Sequence, residues 1–330
     1  MREPAFWWSG GAAGALLSPL GELYGAVAAV RMRRNGARST IPVICAGNFT
    51  LGGSGKTPTA IAMAQLLKAN GENPFFLTRG YGGSQRGPVE VANDASAAGV
   101  GDEALLLSRI APTIVAADRP KGAALAAERG ATVIVMDDGL QNPSLRKNLA
   151  VAVIDGPRGI GNGRVFPAGP LRAPIAAQLE RVQALLVIGD AAGAHSVISA
   201  AMGRKLPIHY GRLIADPVAV SELRDRKFLA FAGIGNPAKF FATLEQEGIE
   251  IAARMPFPDH HRYSAADAGA LLSQARAQDL QLVTTEKDRA RMSGEPALQS
   301  LAAQTKVLPV TLALDDEKAF GNFLRAGLRH

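Results

Sequence analysis

The sequence predicts an α/β fold: a parallel sheet covered by helices on both faces, followed by a smaller α/β unit. Short apolar runs recur between helical stretches at 41–46, 74–78, 113–116, 132–136, 150–154 and 185–188, and strands that alternate with helices form parallel sheets buried on both faces. Past residue 215 the alternation restarts, with strands expected at 228–232, 280–284 and 307–310 and helices near 238–247, 265–277 and 317–327. The length of 330 residues suits two such units, and a content of 47% hydrophobic and 20% charged residues is that of a globular chain rather than a disordered one. The expected division is an N-terminal segment at 1–35, a core at 36–215 and a smaller unit at 216–330.

The N-terminal segment is uncharged from Pro4 to Gly21, opens with Phe6-Trp7-Trp8, and repeats apolar residues at helical spacing at Leu16, Leu20, Leu23, Val27 and Val30. Arg31, Arg33, Arg34 and Arg38 follow. Tryptophans at one end and arginines at the other suit a helix lying in a membrane interface, whereas Glu22, Pro19 and the glycines weaken a spanning one. A secretory signal is a rival, but Arg2 stands beside Glu3 and leaves almost no basic n-region. A helix packed on the protein's own core is the plainer alternative. Thirty-six basic against twenty-nine acidic residues give a net charge of +7. An anionic lipid surface fits this excess better than nucleic acid, because no long Lys/Arg run or aromatic-interleaved basic motif occurs. The single cysteine, Cys45, cannot form an internal disulfide and reads as a small buried hydrophobe in the first strand.

Directly after that strand, residues 47–58 read Gly-Asn-Phe-Thr-Leu-Gly-Gly-Ser-Gly-Lys-Thr-Pro and lead into a helical pattern. Strand, glycine loop and helix make a phosphate cradle: backbone N–H groups approach phosphate oxygens, Lys56 reaches the β- and γ-phosphates, and the Thr57 hydroxyl suits Mg²⁺. The nucleotide-binding candidates are Thr50, Gly52, Gly53, Ser54, Gly55, Lys56 and Thr57. The strict loop pattern fails at Thr50, where a glycine is usual, but its Gly-Gly-Ser-Gly-Lys-Thr core is intact. About eighty residues on, the strand at 132–136 ends in Asp137-Asp138-Gly139. A strand-end carboxylate pair of this kind holds Mg²⁺ directly or through water, so both aspartates are metal candidates and Asp138 is also one for positioning a hydroxyl.

Phosphoryl transfer further needs cations near the γ-phosphate and a proton acceptor near the attacking hydroxyl. Arg79, Arg119, Arg172 and Lys287 are candidates for the first role. Asp102 and His260 are candidates for the second, brought together across a cleft between the two units.

These strings together resemble the tetraacyldisaccharide 4′-kinase family of lipid A biosynthesis. The resemblance runs through the N-terminal Phe-Trp segment, the glycine loop, Thr-Arg-Gly-Tyr-Gly at 78–82, Gly-Asp-Glu at 101–103, Asp-Asp-Gly-Leu-Gln at 137–141, Pro-Ala-Gly-Pro-Leu-Arg at 167–172, Phe-Pro-Asp-His-His at 257–261 and Thr-Glu-Lys-Asp at 285–288. It implies a P-loop kinase core at the cytoplasmic face of the bacterial inner membrane, held peripherally or monotopically. ATP with Mg²⁺ would phosphorylate the 4′-hydroxyl of an acylated glucosamine disaccharide 1-phosphate, giving lipid IVA. By motif position it implies Lys56 and Thr57 at the phosphates and Mg²⁺, Asp102 with His260 as the base dyad, and Asp137, Asp138, Gln141 and Arg172 lining the reaction centre; Arg79 and Gln141 join the nucleotide set. No obligate protein partner is evident.

Two positions depart from the family's pattern: Asn142 stands where His is usual, and Ala173 where Glu is usual. The alternative is a membrane-associated deviant P-loop switch ATPase. Such switches usually carry an extra loop lysine, and none lies between Gly47 and Gly55.

Overall fold

The structure, a computed structural model, describes residues 3–328; Arg2 and the other terminal residues of the expected segments lie outside that range. The first eight strands are β1 (Val43–Gly47), β2 (Pro74–Thr78), β3 (Val89–Glu90), β4 (Thr113–Val115), β5 (Val133–Asp137), β6 (Leu149–Asp155), β7 (Ala184–Ile188) and β8 (Ile208–Ala215). A separate sheet follows, made of β9 (Lys227–Ala232), β10 (Glu250–Pro256), β11 (Gln281–Thr284) and β12 (Thr305–Val307) in the order β10-β9-β11-β12, all parallel. Then β13 (Val310–Leu314) returns to the first sheet, whose order is β13-β8-β7-β6-β1-β5-β2-β4-β3. Its interior pairings are parallel, and each edge is closed by an antiparallel strand.

The central strands β1, β2, β5, β6 and β7 are buried at every residue, because helices cover both faces. Cys45 lies among them, buried in β1 as expected of a small hydrophobe. On one face the helix Lys56–Ala69 contributes Met63 and Leu67, which pack with Val135 and Val151. The two-residue edge strand β3, the partly exposed β8 and the alternating edge strand β10 were not legible as apolar runs, since strands that are not covered on both faces need only alternate.

The smaller sheet does not take all of 216–330. The expected strand at 307–310 is split between two sheets: Val307 ends β12, and Val310 begins β13 beside β8. Pro309, which has no N–H to donate, sits at the break. The last helix, Glu317–Leu328, then buries Phe320 and Leu324 in the same cluster as Met63 and Leu67. The chain's end is therefore part of the larger unit.

The N-terminal segment is three helices rather than one: Phe6–Ser9, Ala12–Leu16 and Ser18–Met32. Its tryptophans do not face a membrane. Trp7 is buried, donates its indole N–H to the Pro167 carbonyl at 3.0 Å and meets Phe166 edge-on, and Trp8 lies under the Arg158 guanidinium. Gly14, Gly21 and Gly25 face Ala168, Val165 and Pro174 so closely that no side chain fits at Gly21. One face of the segment is thus packed on the core. The opposite face leaves Leu16 82% exposed, with Leu20, Leu23, Val27 and Val30 each more than half exposed and Arg31, Arg33, Arg34 and Arg38 exposed beyond them. Among the described residues no helix is long and apolar enough to cross a membrane.

Candidate active site

The glycine loop leaves β1 at the centre of the larger sheet, where ligands of such sheets bind beyond the strand C-terminal ends. Gly55 adopts φ +89°, a left-handed conformation, and a Cβ there would also meet Ile188; only glycine turns the chain into the helix Lys56–Ala69 at this point. No side chain caps that helix, so its first N–H groups face the loop as an anion site. The loop's shoulder is pinned by the 167–172 string: Leu51 N–H donates to the Pro170 carbonyl and Arg172 N–H to the Phe49 carbonyl. Sequence-distant strings that looked independent therefore form one wall.

Parallel register sets Asp137 beside Ala46, directly under the loop. The Thr57 hydroxyl donates to Asp137 Oδ2 at 3.1 Å, while Asp137 Oδ1 is buried with no hydrogen-bond partner. Burial, with Glu103 and Asp138 close by, pushes the Asp137 carboxyl up to about 7. A buried carboxylate oxygen without a donor, next to a threonine hydroxyl at a phosphate cradle, is the donor set a Mg²⁺ ion takes. Asn48 Oδ1 and Ser54 Oγ, at the loop, are likewise buried and unpartnered. Among the described residues no cluster of three metal-binding side chains occurs, so a metal here would complete its shell with phosphate and water.

Asp138 is engaged differently. Arg172 donates to both of its oxygens, at 2.8 and 3.0 Å, and Lys56 Nζ lies 3.7 Å away. Burial raises this carboxyl, but Lys56 and Arg172 outweigh burial and hold it down to about 2. Both Asp138 oxygens thus accept from Arg172, whereas Asp137 Oδ1 has no partner at all. Asp138 adopts φ +53°, a conformation rare for a side-chain-bearing residue, which is how two successive carboxylates face the same cleft. Arg172 also donates Nε–H to the Thr50 carbonyl at 2.9 Å. Gln141 is fixed by bonds to the Asn48 carbonyl and to Gln178 Oε1, both 2.7 Å.

Across the cleft stands Asp102, 4% exposed at the first turn of the helix Asp102–Ser108. His260 Nδ1 is 3.8 Å from Asp102 Oδ2, while His261 turns away to Asp267 at 3.2 Å and stacks on Phe257. His260, the histidine expected, is thus the one at Asp102. Its φ of +55° and the Tyr81 ring, 4.7 Å away, hold it there.

Lys287 donates to Glu103 at 2.7 Å, and that pair commits its charge to joining the two units; burial opposes the ammonium, but Glu103 and Asp102 raise its pKa. Arg79 is exposed at the C-terminal end of β2 and makes no hydrogen bond or ion pair with the described residues. Arg119 is almost fully buried and its Nε has no partner.

A family model described as Tetraacyldisaccharide-1-P 4'-kinase matches residues 13–329. The chain belongs to this family. It is 54% identical to the tetraacyldisaccharide 4'-kinase of Rhodopseudomonas palustris strain BisA53, over 99% of this chain and 96% of that one. Its identity to the tetraacyldisaccharide 4'-kinase of Methylobacterium radiotolerans is also 54%, over 99% of each. The crystal structure of LpxK from Aquifex aeolicus in complex with ATP shares the fold, with a TM-score of 0.75 at 24% identity, covering 96% of this chain and all of that one.

The two departures from the 4′-kinase pattern have local accounts. Asn142 Oδ1 accepts the Ser144 N–H at 2.8 Å and so serves a turn. Ala173 is fully buried, and its carbonyl accepts from Gln178 Nε2 at 2.7 Å. Gln178, itself fully buried, thereby ties the Ala173 and Phe49 carbonyls to the Gln141 side chain. Gln178 had no signature in the sequence, because a lone glutamine in an apolar helix reads as surface. Asp288 and Arg291, discussed below, sat at i,i+3 on a helix, a spacing that by itself suggests only a solvated ion pair.

Proposed function

We propose that the protein transfers the γ-phosphate of ATP to the 4′-hydroxyl of tetraacyldisaccharide 1-phosphate, yielding the 1,4′-bisphosphate lipid IVA. The observation that carries this is the facing of two walls: the phosphate cradle with Lys56, Thr57, Asp137 and Arg172 on one side, and Asp102 with His260 on the other. A switch ATPase needs the first wall only, for its nucleophile is water and no acceptor site is required.

In this reading Thr57 and Asp137 hold Mg²⁺, which when bound neutralises charge on the β- and γ-phosphates. Thr50 and Gly52 to Gly55 cradle the phosphates by their backbone, and Lys56 and Arg172 take up the charge that develops on the transferred group. The hydroxyl oxygen attacks the γ-phosphorus, the bond to the β–γ bridging oxygen breaks, ADP leaves with that electron pair, and the hydroxyl proton passes to the dyad. Asp138, held by Lys56 and Arg172, keeps both cations aimed at the cleft.

The same reading puts the chain on the cytoplasmic face of the inner membrane, attached by the N-terminal segment. The exposed row Leu16, Leu20, Leu23, Val27 and Val30, ending in four exposed arginines, supports it: apolar residues enter the acyl boundary and each basic group gains about 1 kcal/mol at an anionic surface. The substrate, an acylated lipid, is drawn from the same surface.

The direct test is transfer of labelled γ-phosphate from ATP to tetraacyldisaccharide 1-phosphate in detergent micelles. Labelled lipid from wild type and none from Lys56→Ala is the expected result. Membrane-stimulated ATP hydrolysis with no labelled lipid would replace the kinase by the switch ATPase.

A further inference from the structure

Asp102 does not meet His260 alone. Arg291, from the helix Glu286–Met292 next to the smaller sheet, donates Nε–H to Asp102 Oδ2 at 2.7 Å, while Nη2 lies 2.5 Å from the same oxygen as an ion contact without hydrogen-bond geometry. Its Nη1 reaches backwards to Asp288 Oδ1 at 2.7 Å and to the Gly233 carbonyl at 2.5 Å. Asp288 is fully buried and itself fastened: Oδ1 accepts from Tyr263 and from the Gly233 N–H, both at 3.0 Å, and Oδ2 accepts from the Thr285 hydroxyl at 2.7 Å. The guanidinium is therefore braced on one unit and presents its other edge to a carboxylate of the other. The remaining oxygen of Asp102, Oδ1, accepts the Glu103 N–H at 3.0 Å.

We propose that Arg291 is a positioning residue for the acceptor wall: it locks the Asp102 carboxylate across the cleft and holds it where His260 can close on it. The functional part rests on the kinase reading; the lock is a property of the carboxylate itself. A planar guanidinium held at both ends fixes a carboxylate in a way a flexible ammonium cannot. The 3.8 Å between His260 Nδ1 and Asp102 Oδ2 exceeds hydrogen-bond reach, so the imidazole must close in on a partner that stays where it is.

The charged and titratable groups facing Asp102 are Arg291 and Lys287 from the helix Glu286–Met292, His260 from its loop and Glu103 from its own helix; beside His260 stand Tyr81 and Asp259, whose Oδ2 lies 3.8 Å from His260 Nε2. Burial works against the Asp102 charge, but Arg291, Lys287 and His260 overcome it and leave the carboxyl below its ordinary range. A carboxylate so stabilised is a poor proton acceptor near neutrality.

The test follows the Asp102 carboxyl by carbon NMR in full-length, nucleotide-free protein labelled at the aspartate carboxyl carbon, assigned with Asp102→Asn, for wild type, Arg291→Gln and Arg291→Lys. The pH dependence of kcat/KM for lipid phosphorylation is recorded alongside. In Arg291→Gln the Asp102 midpoint is expected to rise by at least about one pH unit, a tenfold loss of preference for the charged form, with the acid limb of kcat/KM moving the same way. KM for ATP is expected to stay within about twofold, since Arg291 lies on the acceptor wall. Arg291→Lys, which keeps the charge without the fork, is expected to show a smaller rise and partial rescue of the rate; it decides the matter if Arg291→Gln fails to fold. An unmoved midpoint in the folded variants overturns the proposal, as does a uniform loss of rate with the limb in place, which would make Arg291 merely structural. If wild type phosphorylates no lipid, the kinase reading falls, while the midpoint still decides the lock.

Discussion

The two walls of the cleft are built in opposite ways. The nucleotide wall is local: loop, helix start and strand end follow from hydrogen bonds and register within one sheet, and its cations and carboxylates meet inside one unit. The acceptor wall is assembled from separate parts of the chain. Asp102 comes from the larger unit, and Arg291, Lys287 and His260 reach it from 158 or more positions away in sequence. Lys239 with Asp155, at 3.1 Å, adds a further link between the units, and Gly235 approaches the loop so closely that a Cβ there would lie 3.2 Å from the Gly53 nitrogen. A wall of the first kind is complete before substrate arrives. A wall of the second kind exists only while the units are docked.

If the walls are separable in this way, variants should sort by wall. The largest effect is expected for Lys56→Ala, which removes a buried cation from the phosphate cradle: kcat should fall by at least about 1,000-fold with the melting temperature nearly unchanged, as steady-state kinetics and calorimetry would show. A fall of less than tenfold would break the assignment of that wall. Next is Asp102→Asn, which leaves Arg291 buried against a neutral partner and should cost about 3 kcal/mol of stability by denaturant unfolding. The pH dependence has a definite sign. The folded carboxyl is held below the ordinary range of an aspartate, so its contribution is full above the unfolded value and is lost as pH falls through the lower folded one. The stability gap between wild type and Asp102→Asn should therefore close on acidification below about pH 4.

A smaller effect is expected from Leu16→Ser with Leu20→Ser and Leu23→Ser: vesicle binding should weaken by about tenfold or more while ATP affinity stays the same, because the exposed row touches neither wall. The smallest is Gln178→Leu, which unties the Gln141 amide and strands buried carbonyls; a loss of about 1–3 kcal/mol in stability and a several-fold lower kcat would be seen by the same methods.

The same contrast explains what could be read without a structure. The central strands, the loop, Lys56, Thr57 and the strand-end aspartates are written in contiguous, patterned residues, so periodicity and motif spacing exposed them. The choice of His260 over His261 came from its place in a string, and geometry agrees. Other features follow from contacts no local pattern encodes. The pairing of Lys287 with Glu103 has no local pattern, and the split at Pro309 that sends β13 to the larger sheet was hidden inside a single apolar run. The N-terminal segment shows the limit of periodicity: its spacing announced an apolar face, but the face packed on the core is the glycine one, and the large apolar residues point outward.

The measurement that tests the two-wall account most directly is the single-turnover rate of phosphoryl transfer to tetraacyldisaccharide 1-phosphate by enzyme saturated with MgATP, wild type against Asp102→Asn. The account predicts transfer at least about 100-fold slower in the variant, with ATP affinity within about twofold of wild type. Equal transfer rates, or ATP affinity lost together with transfer, would contradict it.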